Sequence, residues 1–196
     1  MILDKLKKYN IILASKSPRR QELLKQLDIS FKVADIIDVD EYYDNDIYAG
    51  DIPIYLSQKK SKAYIHTLNA NDILITADTI VWLNNTALNK PFDRAEAIEM
   101  IKSLSNSSHK VFTGVTLSSP EKSHSFVSET KVTFKNLTND EIIYYVDKYK
   151  PFDKAGAYGI QEWIGYIGIT KIEGSYFNVM GLPVQQLYSK IKGFVE

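Results

Sequence analysis

The chain has 196 residues, with 24 Lys+Arg against 24 Asp+Glu, no Cys, 44% hydrophobic and 24% charged residues. A chain of this length buries roughly 70% of the surface its unfolded form exposes, enough for a self-sufficient core. The absent cysteines exclude disulfide scaffolds, thiolate zinc sites, iron–sulfur clusters and Cys nucleophiles, and a net charge of zero argues against a polymeric nucleic-acid partner.

Met1 to Asn10 carries Lys5, Lys7 and Lys8 but no signal-peptide core, and nowhere do about 18 apolar residues run together, so a cytoplasmic protein with no membrane partner is expected. Ile11-Ile12-Leu13-Ala14, then Ser15-Lys16-Ser17-Pro18-Arg19-Arg20, then Leu23, Leu24 and Leu27 predict strand, loop and helix. Ser17 suits the N-cap and Pro18 the first helical position, where a missing N–H loses no bond. That helix is expected to end near Asp28. Phe31 to Ala34 reads as a second strand, and the Asp- and Tyr-rich stretch from Asp35 to Asp51 as an exposed loop.

After Pro53, the positions Ile54, Leu56, Ala63, Tyr64 and Ile65 predict a helix carrying Lys59, Lys60 and Lys62. Ile73 to Ala77 reads as a buried strand ending at Asp78-Thr79, or continuing through Ile80-Val81-Trp82 to a turn at Asn84-Asn85. Asp93 with Glu96, and Thr138 with Glu141, match capping boxes for helices that stop near Asn106 and Lys148. Between them, Val111 to Leu117 and Phe126 to Phe134 predict two strands joined near Pro120. Pro151 to Gln161 is irregular, Ile164 to Ile172 strand-like, and Pro183 opens a last helix with Val184, Leu187 and Ile191. The fold class is α/β, with a mixed twisted central sheet flanked by helices. It is drawn as a single domain over residues 1–196 with two lobes and a cleft between them.

Ser15 to Arg20 places hydroxyls, backbone N–H groups and three cations at a helix start, where the unpaired N–H groups and the dipole favour an anion such as phosphate. The bland alternative pairs Arg19 and Arg20 with a surface carboxylate such as Glu22. Asp78, at the expected carboxyl end of a buried strand, is a general base, a metal ligand or a loop-capping Asp. Asp40-Glu41 would add the second carboxylate a magnesium ion wants. Lys60 and Lys90 are candidates to neutralise a polyphosphate, although three lysines on one helix more often mark a wet face. Asp153 to Gln161 lets a backbone approach a ligand closely, and the Gln161 amide could read a base edge. His66, His109 and His124 lack zinc spacing, and no nucleophile elbow, Walker loop or dinucleotide fingerprint is present.

Three separated segments then coincide with one family: Leu13 to Leu24; Ala77-Asp78-Thr79 with Leu88-Asn89-Lys90-Pro91; and Asp153 to Gln161 with Gly174-Ser175-Tyr176 and Gly181-Leu182-Pro183. From about Ile11 onward the chain resembles the Maf family of nucleoside triphosphate pyrophosphatases, whose fold is similar to that of the inosine triphosphate pyrophosphatases. The resemblance implies Asp78 as the proton acceptor. It also implies base-choice positions at Arg19, Thr79 and Gln161, and phosphate or metal roles for Ser15, Arg20, Glu41, Lys60 and Lys90, with Lys62 one frame from Lys60. It implies a divalent cation, Mg²⁺ or Mn²⁺, held by Glu41 and Asp78, a nucleoside triphosphate substrate, and a homodimer.

The Lys-Ala-Gly-Ala-Tyr-Gly-Ile-Gln string looks like the subgroup that hydrolyses dTTP and UTP to the monophosphate and pyrophosphate. The alternatives are a non-catalytic nucleotide-binding regulator of septum formation, or a pyrophosphatase for modified purine nucleotides or 7-methyl-GTP. Glu162 stands where the family usually has Gly, Lys150 replaces an acidic residue, and Asn106 replaces a Gly. A bulky anion at 162, next to a base-reading residue, could reshape the pocket.

Overall fold

The computed structural model describes residues 1–44 and 46–195; Asn45, within the expected acidic loop, and Glu196 lie outside the described residues. The strands are β1 (Asn10–Leu13), β2 (Phe31–Val33), β3 (Asp72–Leu83), β4 (Thr86–Leu88), β5 (Ser108–Ser118), β6 (Ser123–Phe134) and β7 (Ile169–Glu173). They form one sheet in the order β2-β1-β3-β5-β6-β7, with β4 on β3. β1 runs parallel to β2 and β3, whereas β3–β4 and β6–β7 are antiparallel, so the sheet is mixed as expected. The helices are α1 (Ile2–Leu6), α2 (Pro18–Lys25), α3 (Asp51–Tyr64), α4 (Arg94–Leu104), α5 (Asn139–Tyr149), α6 (Trp163–Gly168), α7 (Tyr176–Met180) and α8 (Val184–Phe194). No described helix is long and apolar enough to cross a membrane.

The chain divides into two compact units, one of Met1–Asp78, Thr113–Ser128 and Gly181–Glu196, the other of Thr79–Phe112 and Glu129–Met180. In the first unit, Ser17 caps α2 by accepting from the Arg20 N–H, with Pro18 at the first helical position. α2 ends at Lys25, short of Asp28, because Asp28 adopts a left-handed backbone (φ 56°) that cannot extend the helix. Ala14, Tyr64 and Leu74 form a buried cluster with Ile12, Ala34, Ala63 and Leu68 packed on it. On α8, Leu187 and Ile191, one turn apart, are fully buried.

α3 is seated on the sheet by small and hydroxyl groups. A Cβ at Gly114 of β5 would collide with the backbone of Pro53 and Ile54 in the first turn of α3, so only glycine permits this approach. One and two turns further along, Ser57 Oγ bonds Thr116 Oγ1 at 2.8 Å and Ser61 Oγ bonds Ser118 Oγ at 2.6 Å, both buried. Thr76 of β3 donates to the Ser57 carbonyl at 2.7 Å. These bonds satisfy the hydroxyls that the packing removes from water and fix the register of α3.

In the second unit, Asn84 and Asn85 both have positive φ and close the two-residue hairpin β3–β4. Asp93 caps α4, and Thr138 with Glu141 forms a complete capping box on α5. The core holds Ile101, Leu104, Val132, Phe134, Ile142, Tyr145 and Ile164, and His109 packs between Phe134 and Tyr158.

Two expectations are corrected. Residues 163–168 form α6, and only Ile169–Glu173 is strand, because Trp163, Ile164 and Ile167 recur at helical spacing toward the core and Gly165 presses on the Ile160 carbonyl. Asp78 lies inside β3, not at its end. The β1 ladder stops at Leu13↔Ile75, but β3 continues to pair with β4, so the strand that ends beside Asp78 is β1.

Candidate active site

Period two along β3 puts Thr76 and Asp78 on one face, and Thr76 is the residue bonded to α3. Three and four residues after Ser57, Lys60 and Ser61 continue the same side of α3, so a helix seated through Ser57 and Ser61 delivers Lys60 to Asp78. Lys60 Nζ donates to Asp78 Oδ1 at 2.6 Å and to Glu41 Oε1 at 2.7 Å. Lys60 and Asp78 are largely shielded, with side chains 19% and 12% exposed, whereas Glu41 is 49% exposed on the loop after β2. Lys62 points to solvent, so the wet-face reading of the α3 lysines holds for it and fails for Lys60.

The same loop is held by the neighbouring lysine: Lys59 Nζ donates to the Tyr42 carbonyl at 3.1 Å and lies 3.5 Å from Asp40 Oδ2. Most of residues 35–44 and 46–50 is exposed, as expected of an acidic loop, and Glu41, itself exposed, is tied to α3 by its ion pair with Lys60.

Where the chain leaves β1, the buried Ser15 accepts the Ser17 N–H through its Oγ at 3.2 Å. Arg20 donates from Nε to the Gly181 carbonyl at 2.8 Å and from Nη1 to the Ala77 carbonyl at 2.9 Å. Gly181 has φ 113°, a left-handed conformation that suits glycine. Burial pulls the Arg20 pKa down, Asp78 opposes that shift, Arg19 adds to it, and Glu41 opposes it. The guanidinium nevertheless stays charged, since its ordinary pKa is far above neutrality. The two carbonyls orient the guanidinium. Ser15, Arg20, Glu41, Lys60 and Asp78 therefore belong to one unit, with Arg19 next to Arg20 at the start of α2.

Thr79, Lys90 and Gln161 lie in the second unit. Thr79 follows Asp78 on β3 and is half-buried, and Lys90 is exposed after β4. The Gly156 N–H donates to the Asn89 carbonyl at 3.1 Å, which ties the Lys90 loop to the segment 153–161. Gly156 needs its positive φ of 67°, and a Cβ there would meet Val81 Cγ2 at 2.9 Å. The Gln161 Oε1 is buried and has no hydrogen-bond partner within the protein. A buried unpaired acceptor costs about 1–3 kcal/mol, so a ligand N–H is its natural complement.

For a divalent cation, the donor chemistry fits. Hard ions such as Mg²⁺ are held by one or two carboxylates with water and substrate phosphates, and Glu41 and Asp78 both reach the single point now taken by Lys60 Nζ. No group of three His, Asp or Glu side chains suited to a metal is found among the described residues. Two carboxylates completed by substrate is the arrangement these residues offer.

Residue-by-residue reading of the sequence did not find the Ala77 and Gly181 carbonyls that aim Arg20, or the Gly114 contact that seats α3. Gly181 was visible only as part of the Gly-Leu-Pro motif, and nothing in the sequence linked it to Arg20.

The family model for Maf-like proteins matches residues 10–194. The chain belongs to the Maf-like family. It is 52% identical over 191 residues to the dTTP/UTP pyrophosphatase of Bacteroides thetaiotaomicron, covering 97% of this chain and 99% of that one. To the dTTP/UTP pyrophosphatase of Flavobacterium johnsoniae it is 48% identical over 195 residues, covering 100% of both. Among solved structures, a HAM1 protein from Coxiella burnetii matches with a TM-score of 0.49 at 17% identity, covering 94% of this chain and 99% of that one.

Proposed function

We propose that this Maf-like protein hydrolyses dTTP and UTP to the nucleoside monophosphate and pyrophosphate. The observation that carries the proposal is the meeting of Lys60, Asp78 and Glu41 in the unit that also holds the Arg19-Arg20 helix start. The activity named for relatives about half identical over nearly the whole chain supports the same reading.

In the reaction, the oxygen of a water bonds to the α-phosphorus, the bond from that phosphorus to the α–β bridging oxygen breaks, and pyrophosphate leaves. Asp78 accepts the proton of the attacking water. Lys60 orients the Asp78 carboxylate by holding Oδ1. A triphosphate carries about four negative charges near neutral pH, and catalysis of its cleavage is mostly positioning and charge stabilisation. Arg20, Lys60 and Lys90 supply positive charge to the phosphates, and Ser15 with the α2 terminus supplies N–H and hydroxyl donors. A divalent cation held by Glu41 and Asp78 polarises phosphoryl oxygens when bound.

For base choice, a uracil or thymine ring presents an imino N–H beside a carbonyl. The Gln161 Oε1 accepts from the first and its NH₂ donates to the second. Arg19 and Thr79 complete the selection.

The test is a panel of dTTP, UTP, modified purine triphosphates and 7-methyl-GTP with Mg²⁺, scoring pyrophosphate and orthophosphate separately. Pyrophosphate from dTTP and UTP ahead of the others, without orthophosphate, is expected. Nucleotide binding with no pyrophosphate released would replace the enzyme with a regulator, and a preference for the purine compounds would overturn the substrate.

A further inference from the structure

We infer that Glu162 is a positioning residue for base selection, one that pins the turn carrying Gln161 to the buried hydroxyl of Tyr145. The inference rests on the reading of Gln161 as the residue that meets the base.

The Glu162 N–H donates to the Gly159 carbonyl at 3.0 Å, so Gly159 to Glu162 is a tight turn with Ile160 and Gln161 at its centre. Both ends of the turn reach one atom. The Gly159 N–H donates to Tyr145 Oη at 3.0 Å, and Tyr145 Oη donates in turn to Glu162 Oε2. Tyr145 is fully buried on α5 and stacked on Tyr149, so this anchor belongs to the core.

The other carboxylate oxygen is engaged as well: Glu162 Oε1 lies 3.1 Å from Lys154 Nζ. Lys154 is only 8% exposed, and a buried ammonium must be paired. Its second partner, Asp153 at 2.7 Å, has a largely exposed carboxylate, which leaves Glu162 as the shielded counter-charge. The Lys154–Glu162 pair closes residues 154–162 into one loop.

Gly159 makes this possible. A Cβ there would lie 2.8 Å from Glu162 Cδ, so glycine gives the room in which the acidic side chain folds back over its own turn. The anion at position 162 therefore faces Lys154 and Tyr145, and it acts on the nucleotide through Gln161.

Kinetics with dTTP and with a purine triphosphate test this on Glu162→Ala, Tyr145→Phe, Glu162→Gln and Gln161→Ala, alone and with Glu162→Ala and Gln161→Ala combined. Glu162→Ala and Tyr145→Phe are expected to raise KM for dTTP about tenfold, as the loss of one or two buried hydrogen bonds to the turn would. They should also narrow the dTTP-to-purine ratio of kcat/KM while kcat falls less than about threefold. Glu162→Gln keeps an acceptor for Tyr145 and should recover most of the loss. In the Gln161→Ala background, Glu162→Ala should add nothing.

Folded Glu162→Ala and Tyr145→Phe proteins with wild-type KM and selectivity overturn the proposal, as does full additivity with Gln161→Ala. Should Glu162→Ala fail to fold, Tyr145→Phe decides by the same criteria. If Gln161→Ala itself leaves the base preference intact, the base-reading assignment is what fails. If Gln161→Ala changes the preference and the other two variants do not, only the positioning role fails.

Discussion

The cluster around Asp78 and the loop around Gln161 are assembled in opposite ways. Asp78, Lys60 and Glu41 come from β3, α3 and the loop after β2, and they meet as charges that partners can exchange. Residues 153–162 close mostly on themselves and on Tyr145, over a buried layer in which His109 Nε2 and Tyr158 Oη lie 2.7 Å apart. In the function we propose, the groups of the first region change partners during the reaction, whereas the second region holds still against the base.

The largest expected effect follows from the first region. Asp78→Asn keeps the shape and an acceptor for Lys60 but removes the proton acceptor that we propose, and losing a positioned base typically costs roughly 10²–10⁴ in rate. We expect kcat to fall by that much with the thermal midpoint nearly unchanged. An Asp78→Asn protein with wild-type kcat would remove Asp78 from the chemistry and leave the two regions without the division of labour drawn here.

The second region yields a stability effect in acid. Burial holds the His109 pKa down at about 4, against 6.5 for the free side chain. Between those values the unfolded chain binds a proton that the native protein does not, so stability rises with pH across that window. The contribution is fully present above pH 6.5 and is lost as the pH falls toward 4, where the loss amounts to about 3 kcal/mol. His109→Gln retains a side chain able to bond Tyr158 and does not titrate. Denaturant midpoints at pH 7 and pH 4.5 should converge in this variant relative to wild type, while kcat at pH 7 is held. An unchanged acid sensitivity would mean that the layer under the loop is wetter than its burial indicates.

The two regions were also unequally legible in the sequence. Ser17-Pro18, the Thr138/Glu141 box and Asn84-Asn85 could be read directly, because their chemistry acts within a few residues. Asp78, Lys60 and Glu41 were identified as residues, but their contact was not, because it depends on how α3 lies on β3 and β5. The choice of Lys60 over Lys62 needs that placement: the two lysines share a helix and a composition, and the positions of Ser57 and Ser61 against β5 select between them. Glu162 was visible only as a departure from the family pattern, since its direction is set by Tyr145, 17 residues earlier. The two glycines of α6 blur its helical period in the sequence, and burial of Ile164 with Trp163 and Ile167 packed against the core makes it a helix.

Gly114 is where that placement can be tested with one carbon atom. It is remote in sequence from every charged residue of the site, and its only service is to let the backbone of Pro53 and Ile54 lie against β5. A methyl group there meets backbone atoms and no flexible side-chain tip, so α3 must lift or tilt. Forcing extra volume into a packed contact costs typically 1–3 kcal/mol. We expect Gly114→Ala to lower stability by about that amount. Any tilt is carried along the helix to Lys60, stretching its bonds to Asp78 and Glu41, so kcat/KM should fall while the ratio between dTTP and purine triphosphates stays constant, because the loop we propose to read the base is built without α3. A changed ratio would show the two regions to be coupled through the scaffold. An unchanged kcat/KM in a destabilised protein would show that Lys60 reaches Asp78 by side-chain flexibility and owes nothing to the seat beneath its helix.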